Sequence, residues 1–243
     1  MSPSGQRMEY LIADASQFGG STAPSAMAAL LPPEERSRAS GFRRSRDREA
    51  YAGAHVLFRL MAARWLGAGR PAELEVQRTC RTCGGPHGKP RIDGVELSLS
   101  RSADTVMIAA APPGCAVGAD LEQVPGRLFA GFDAYALAPA ERESAAGPDV
   151  AGRIRLWVAK EAALKATGHG VALDPHTLSI LMADTAAPWS AVVRCAATED
   201  LDGMNIAWTP APEGYVAALA TAGTPGIVRL DPADLLPELR TAR

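Results

Sequence analysis

DVAGRIRLWVAKEAALKATG, residues 149–168, is the stretch on which the reading of the fold turns. It reads as one long helix ended by Gly168. A short helix, APAERESAA (138–146), precedes it. Strand candidates follow: LSILMA (178–183), AVVRCAA (191–197), MNIAWTPA (204–211), YVAALAT (215–221) and IVRL (227–230), with Gly or Pro between several of them. The first half has the same plan. AYAGAHVLFRLMAARWLG (50–67) carries Val56, Leu57, Leu60, Met61 and Trp65 at helical spacing and stops at Gly67. A basic turn leads into it, because PPEERSRASGFRRSRDR (32–48) holds six arginines between Arg36 and Arg48 against one acid, Asp47. LEVQR (74–78), a loop rich in Cys and Gly, and then ELSLS (96–100), TVMIAAA (105–111) and CAVGADLE (115–122) complete that half as short strands.

A helix followed by several strands thus occurs twice, without a clear repeat at residue level. The expected fold is α+β and sandwich-like. It has two pseudo-symmetric subdomains, residues 1–122 and 123–243, each a long helix packed on a small, mostly antiparallel sheet, together forming one compact unit. The tail, DPADLLPELRTAR (231–243), reads as a weak helix or loose end.

At 243 residues the chain makes one large or two small units, at roughly 150 residues per domain. With 47% apolar and 21% charged residues it can build a core, which excludes wholesale disorder. A net charge of −2 argues against a dedicated nucleic-acid binder. Residues 1–16 lack an apolar signal-peptide region, and no stretch reaches the ~18 apolar residues of a membrane span. Four cysteines then point to a reducing cytoplasm. The chain has 22 Arg and three Lys: Lys89, Lys160 and Lys165. Where lysine survives such a bias, two readings stand at this point: chance, or a need for a compact, flexible charge that a guanidinium fork does not supply.

Four groups of residues carry chemistry. In GADLE, Asp120 and Glu122 stand at i and i+2, which in a strand puts both carboxylates on one face; such a pair suits Mg²⁺, although two acids on a solvated strand end have the same spacing. On the 149–168 helix, Trp157, Glu161 and Lys165 fall at i, i+4 and i+8, within an arc of about 80°, and Lys160 borders that stripe. A solvated salt-bridge face rarely carries a Trp, so the stripe is expected half-buried, with Glu161 and Lys165 at the mouth of a cleft. In HGKP, Gly88 and Pro90 bracket Lys89. In LSLSRS, Ser100, Arg101 and Ser102 offer donors that suit an anion. Cations, Mg²⁺ ligands and no obvious nucleophile make a phosphoryl-transfer site plausible. Cys80-x-x-Cys83, with His87 close by and Cys115 further on, has a zinc-like start but lacks a second CxxC, so a reduced loop is expected. His55, His169 and His176 read as structural or solvated, with His169 able to touch a ligand's edge.

In their order, Gly88-Lys89-Pro90, Leu97–Ser102, Gly118–Glu122 and Trp157–Lys165 resemble the motifs of the surfactin-type 4′-phosphopantetheinyl transferases (GKP, FNLSHS, GIDIE and WxxKEAxxK). The resemblance implies coenzyme A bound in the cleft between the two halves. It implies Mg²⁺ held by Asp120, Glu122 and Glu161, phosphates met by Lys160 and Lys165, and the 3′-phosphate end held by Lys89 with Arg36, Arg38 or Arg44. Ser100 and Arg101 would border the ligand, Arg101 standing where the family usually has His. Arg keeps the charge but does not titrate near neutrality. Glu161, with Asp120 and Lys165 in the catalytic group, would be the base that frees a serine on an acyl or peptidyl carrier protein, releasing 3′,5′-ADP. A monomer is expected. A non-catalytic coenzyme A or nucleotide binder and a coenzyme A pyrophosphatase are the alternatives.

Overall fold

The computed structural model describes residues 7–20, 25–144, 149–183 and 187–239. Two long helices and two sheets carry the architecture, in the α+β class. Strand β1 (Arg7–Asp14) leads through short helices α1 (Ser16–Gly19), α2 (Ser25–Ala28) and α3 (Pro33–Ser40) into the long helix α4 (Ser45–Leu66). Then come β2 (Gln77–Arg78), β3 (Pro90–Arg91), β4 (Glu96–Ser102), β5 (Thr105–Ala111) and β6 (Val117–Gln123). After α5 (Phe132–Ala136) and α6 (Pro139–Ser144), the second long helix, α7 (Val150–Thr167), precedes β7 (Leu178–Met182), β8 (Ala191–Cys195), β9 (Asn205–Thr209), β10 (Tyr215–Thr221) and β11 (Gly226–Arg229).

One sheet has the order β11-β1-β5-β4 and the other β6-β10-β9-β8-β7. All described pairings in them are antiparallel except β1 with β11. Helix α4 covers the outer face of the first sheet through Val56, Leu57, Leu60 and Met61 against Leu11, Val106, Ile108 and Leu97. Helix α7 covers the outer face of the second through Val158, Ala162 and Ala166 against Leu178, Ile206, Ala218 and Ala220. Between the sheets lies a third core, with Met8, Tyr10, Ile12 and Met107 on one side and Val117, Leu121, Ala217 and Leu219 on the other. Each sheet is therefore buried on both faces, as in a four-layer packing. The long helices end as expected, on Gly67 and Gly168, both left-handed (φ 60° and 76°).

Several local readings change. Residues 33–40, expected as a basic turn, form α3, started by Pro33 with Glu34 and Glu35 in its first turn. β1 was not legible, because its central residues are buried on both sides of the sheet and show no polar alternation. Residues 74–76 do not extend the strand beyond Gln77–Arg78. The chain also crosses between the halves. β6, placed by sequence at the end of the first half, pairs with β10 in the second sheet, and β11 returns to pair with β1 in the first. In the tail, Pro232–Leu239 form a 3₁₀ helix, and residues 240–243, like 1–6 of the signal-peptide reading, lie outside the described residues.

Candidate functional site

The site is built on the seam where the edges of the two sheets meet. Ser98, Ser100 and Ser102 alternate along β4, so all three face β6. Ser98 Oγ accepts from the Ala119 N–H (2.9 Å), and Ser100 Oγ donates to Asp120 Oδ1 (2.7 Å). Ser102 Oγ donates to Glu122 Oε2 (2.8 Å) and accepts from the Gln123 N–H (3.0 Å). This side-chain ladder replaces the backbone ladder a continuous sheet would have. The sequence offered Ser100 and Ser102 to an anion; the fold turns both hydroxyls to the acids of β6.

Asp120 and Glu122 do share the face of β6 that meets α7. Gly118, two residues earlier on that face, lets the helix approach: a Cβ there would lie 1.8 Å from the Ala162 carbonyl oxygen and 2.6 Å from the Ala166 nitrogen. The close approach delivers Lys165, whose Nζ meets Asp120 Oδ1 (2.5 Å) and Ser100 Oγ (2.9 Å). Glu161, one turn earlier on the same stripe, is half-buried, as is Lys165. Burial, then the charges of Asp120 and Glu122, push the Glu161 carboxyl up to about 7 although Lys165 pulls it down. Burial likewise raises Glu122, against the Ser102 hydrogen bond. Asp120 is 2% exposed, and its Oδ2 is a buried oxygen without a hydrogen-bond partner among the described residues. An orphaned carboxylate oxygen beside two acids held above their ordinary range is a cluster short of positive charge. Its hard oxygen donors are the type that suits a divalent cation such as Mg²⁺, and the three carboxylates must draw closer to share one, since they do not all bring an oxygen within 4.8 Å of one another. Trp157, at the head of the stripe, owes its partial burial to α5, packing on Phe132 and Tyr135 with ring centroids 6.0 and 5.7 Å away.

Next to Lys165 opens a cleft of about 570 Å³; Lys165 stands at its edge as the stripe reading expects, but Asp120, Glu122 and Glu161 are not part of its lining. Its walls come from the loop before β3 (Cys80, His87, Lys89), from Ser98 and Leu99 of β4, and from the end of α7 and the turn after it (Lys165, His169). His169 borders it as expected, hydrogen-bonded to Thr167 Oγ1 (2.8 Å).

The three lysines do not act as one group. Lys165 joins the acids. Lys160 does not: its fully buried ammonium lies on the far side of α7, against Glu141 Oε2 (2.5 Å) and the Ala136 carbonyl (2.7 Å). The expectation that it meets a phosphate is corrected, because its neighbour Ala159 and Ala163 belong to the same apolar core and no solvent reaches the charge. Burial lowers its basicity, which Glu141 partly restores. Lys89 lines the cleft, yet its ammonium is turned into the seam, donating to Glu96 Oε2 (3.3 Å), the Val117 carbonyl (3.1 Å) and the Ala166 carbonyl (3.0 Å). Those three acceptors engage all its protons, so Lys89 joins the two halves in this structure. Burial pushes it below the ordinary lysine range.

The arginines separate too. Arg36 donates to the Leu31 carbonyl and lines a different cavity, beside Phe18 and Met27. Arg44 is exposed at the start of α4. Arg38 stands near Tyr51 and Arg78, a residue the sequence did not single out. Arg78 donates to the Gly88 carbonyl (3.1 Å) and borders a small cavity that shares Pro90 and Leu99 with the cleft. Burial lowers its basicity. No spacing rule marks Arg78; only the β2–β3 pairing, Arg78 opposite Pro90, brings it there. Arg101 is exposed, on the same face of β4 as Leu99. His55 pairs with Glu35 (3.2 Å); burial pushes that carboxyl up, but hydrogen bonds from His55 and Arg59 hold it at about 2.

Residues 116–220 match the family model described as the 4′-phosphopantetheinyl transferase superfamily. The matched segment spans β6 to β10 and contains Asp120, Glu122, Glu161 and Lys165, so phosphopantetheinyl transfer is the chemistry it supports. No curated protein matches the chain. No described helix is long and apolar enough to cross a membrane.

Proposed function

We propose that this protein is a surfactin-type 4′-phosphopantetheinyl transferase, moving the phosphopantetheine arm of coenzyme A onto a serine of an apo acyl or peptidyl carrier protein and releasing 3′,5′-ADP. The observation that carries the reading is the acid group Asp120–Glu122–Glu161, with a partnerless buried oxygen on Asp120 and with Lys165, which also lines the cleft, against it. The superfamily match over the same residues supports it.

Mg²⁺ would be held by Asp120, Glu122 and Glu161, and when bound it neutralises charge on the pyrophosphate. Lys165 reaches the same oxygens from the α7 side, and Ser100 keeps Asp120 aimed. Arg101 offers a fork to the phosphates at the open end of β4, in place of a titrating imidazole. Arg38 and Arg78 take the 3′-phosphate end. The serine oxygen forms a bond to the phosphorus that carries the pantetheine arm, and the bond from that phosphorus to the ADP oxygen breaks. Glu161, directly or through a water, takes the serine proton. The nucleophile belongs to the partner, which accounts for none standing out in this chain. A monomer suffices, since the two halves of one chain already make the cleft.

The test is incubation with coenzyme A, Mg²⁺ and a panel of apo carrier proteins, read by mass spectrometry. The expected result is a carrier heavier by one phosphopantetheine. In Asp120→Ala, transfer should fall by roughly 10²-fold or more while coenzyme A affinity falls less. Free phosphopantetheine without a modified carrier would instead make the protein a pyrophosphatase, and binding with no product would make it a coenzyme A-binding protein.

A further inference from the structure

The loop between β2 and β3 holds a second group of metal-type donors that the transfer reading leaves unused. Cys80, Cys83 and His87 bring one ligand atom each within 4.8 Å of one another, the only such trio of His, Cys, Asp or Glu among the described residues. Cys83 Sγ lies 3.1 Å from His87 Nε2, and both cysteines are free thiols. By comparison, sulfur and nitrogen ligands on one tetrahedral zinc stand roughly 3.5–3.8 Å apart, from Zn–S bonds of ~2.3 Å and Zn–N bonds of ~2.0 Å.

The backbone is folded round these side chains. The Gly84 N–H bonds the Cys80 carbonyl (3.0 Å), the Cys80 N–H bonds the Gly85 carbonyl (3.0 Å), and the His87 N–H returns to the same carbonyl (2.8 Å). The chain reverses through Gly84 at φ 69°. Gly85 leaves the space two of the ligands need: a Cβ there would lie 3.3 Å from both Cys83 Sγ and His87 Nε2. Cys115, the fourth candidate in the sequence, is elsewhere, buried beside Thr221 (3.6 Å).

We propose that Cys80, Cys83 and His87 form a binding site for a thiophilic divalent cation of the zinc type, with a fourth coordination position open to the cleft. Two thiolates and a neutral imidazole cancel the charge of the ion, so the loaded site is neutral. All three residues border the cleft, so water or an anionic group of a bound ligand takes the remaining position. Arg81, held between the two cysteines, donates to the Thr167 carbonyl (2.8 Å) and Asp200 (2.9 Å) in the second half. An ion here therefore also fixes the loop that links the halves over the cleft.

The test uses the whole protein, reduced and stripped by chelator, and titrated with Co²⁺. One equivalent should give the intense sulfur-to-cobalt charge-transfer absorption that an all-oxygen site lacks, and Zn²⁺ should abolish it. The double variant Cys80→Ser/Cys83→Ser should lose the band. Gly85→Ala keeps every ligand and should weaken Co²⁺ binding about tenfold or more; it serves where the double variant does not fold. Absence of the band in the reduced wild type, its persistence without the thiols, or closure of a Cys80–Cys83 disulfide in place of metal uptake overturns the proposal. Neither coenzyme A nor a carrier takes part, so such a failure leaves the transfer reading standing.

Discussion

Glu161→Gln tests the acid cluster by stability alone. In the folded protein the Glu161 carboxyl stands at about 7, against an ordinary value of 4.5. The native state therefore holds that proton more tightly than the unfolded chain. Below about 4.5 both states are protonated and the contribution is complete; it is lost as pH rises through 7. The difference of 2.5 pH units (7 minus 4.5) corresponds to at most about 3.5 kcal/mol at roughly 1.4 kcal/mol per unit. Glu161 is only half-buried, so solvent and local relaxation bring the expected loss to between about 1 and 3 kcal/mol. Gln mimics the neutral acid and does not titrate. In urea denaturation without divalent ions, Glu161→Gln should be more stable than wild type at pH 8 by that amount, and nearly equal to it at pH 4. The other titrating groups are common to both proteins and cancel in the comparison. Added Mg²⁺ should narrow the gap at pH 8, because only the wild type offers the third carboxylate. A variant no more stable than wild type at pH 8, or a gap that does not depend on pH, refutes the crowding argument.

Two further substitutions test how the seam is made. Gly118→Ala places a Cβ against backbone on α7, at 1.8 and 2.6 Å, where neither atom can swing aside. It should cost about 3 kcal/mol or more in urea denaturation and lower transfer with it, while near-wild-type stability would mean that α7 is not held by this contact. Lys89→Met removes an ammonium from Glu96 and two carbonyls and should destabilise by about 2–4 kcal/mol. Coenzyme A affinity, measured by calorimetry on the folded variant, should change little; a large loss of affinity with stability intact would return Lys89 to the 3′-phosphate.

The sequence by itself determined what local rules encode. Gly67 and Gly168 marked the ends of the long helices, β5 and β10 were legible to the residue, and the i, i+2 spacing of Asp120 and Glu122 put them on one face. The i, i+4 spacing likewise joined Glu161 to Lys165. What the side chains meet was decided by tertiary structure, because it depends on which elements pack together. Lys160 and Lys165 lie five residues apart on one helix, yet one is sealed against Glu141 and the other reaches Asp120. The serines of β4 look like anion donors until β6 is laid beside them. β1 and β11 pair across nearly the whole chain, and Arg78 reaches the cleft through a two-residue ladder. Periodicity assigns a residue to a face of its own helix or strand; the partner across that face comes from distant chain, and burial there fixes which charges remain free to meet a ligand.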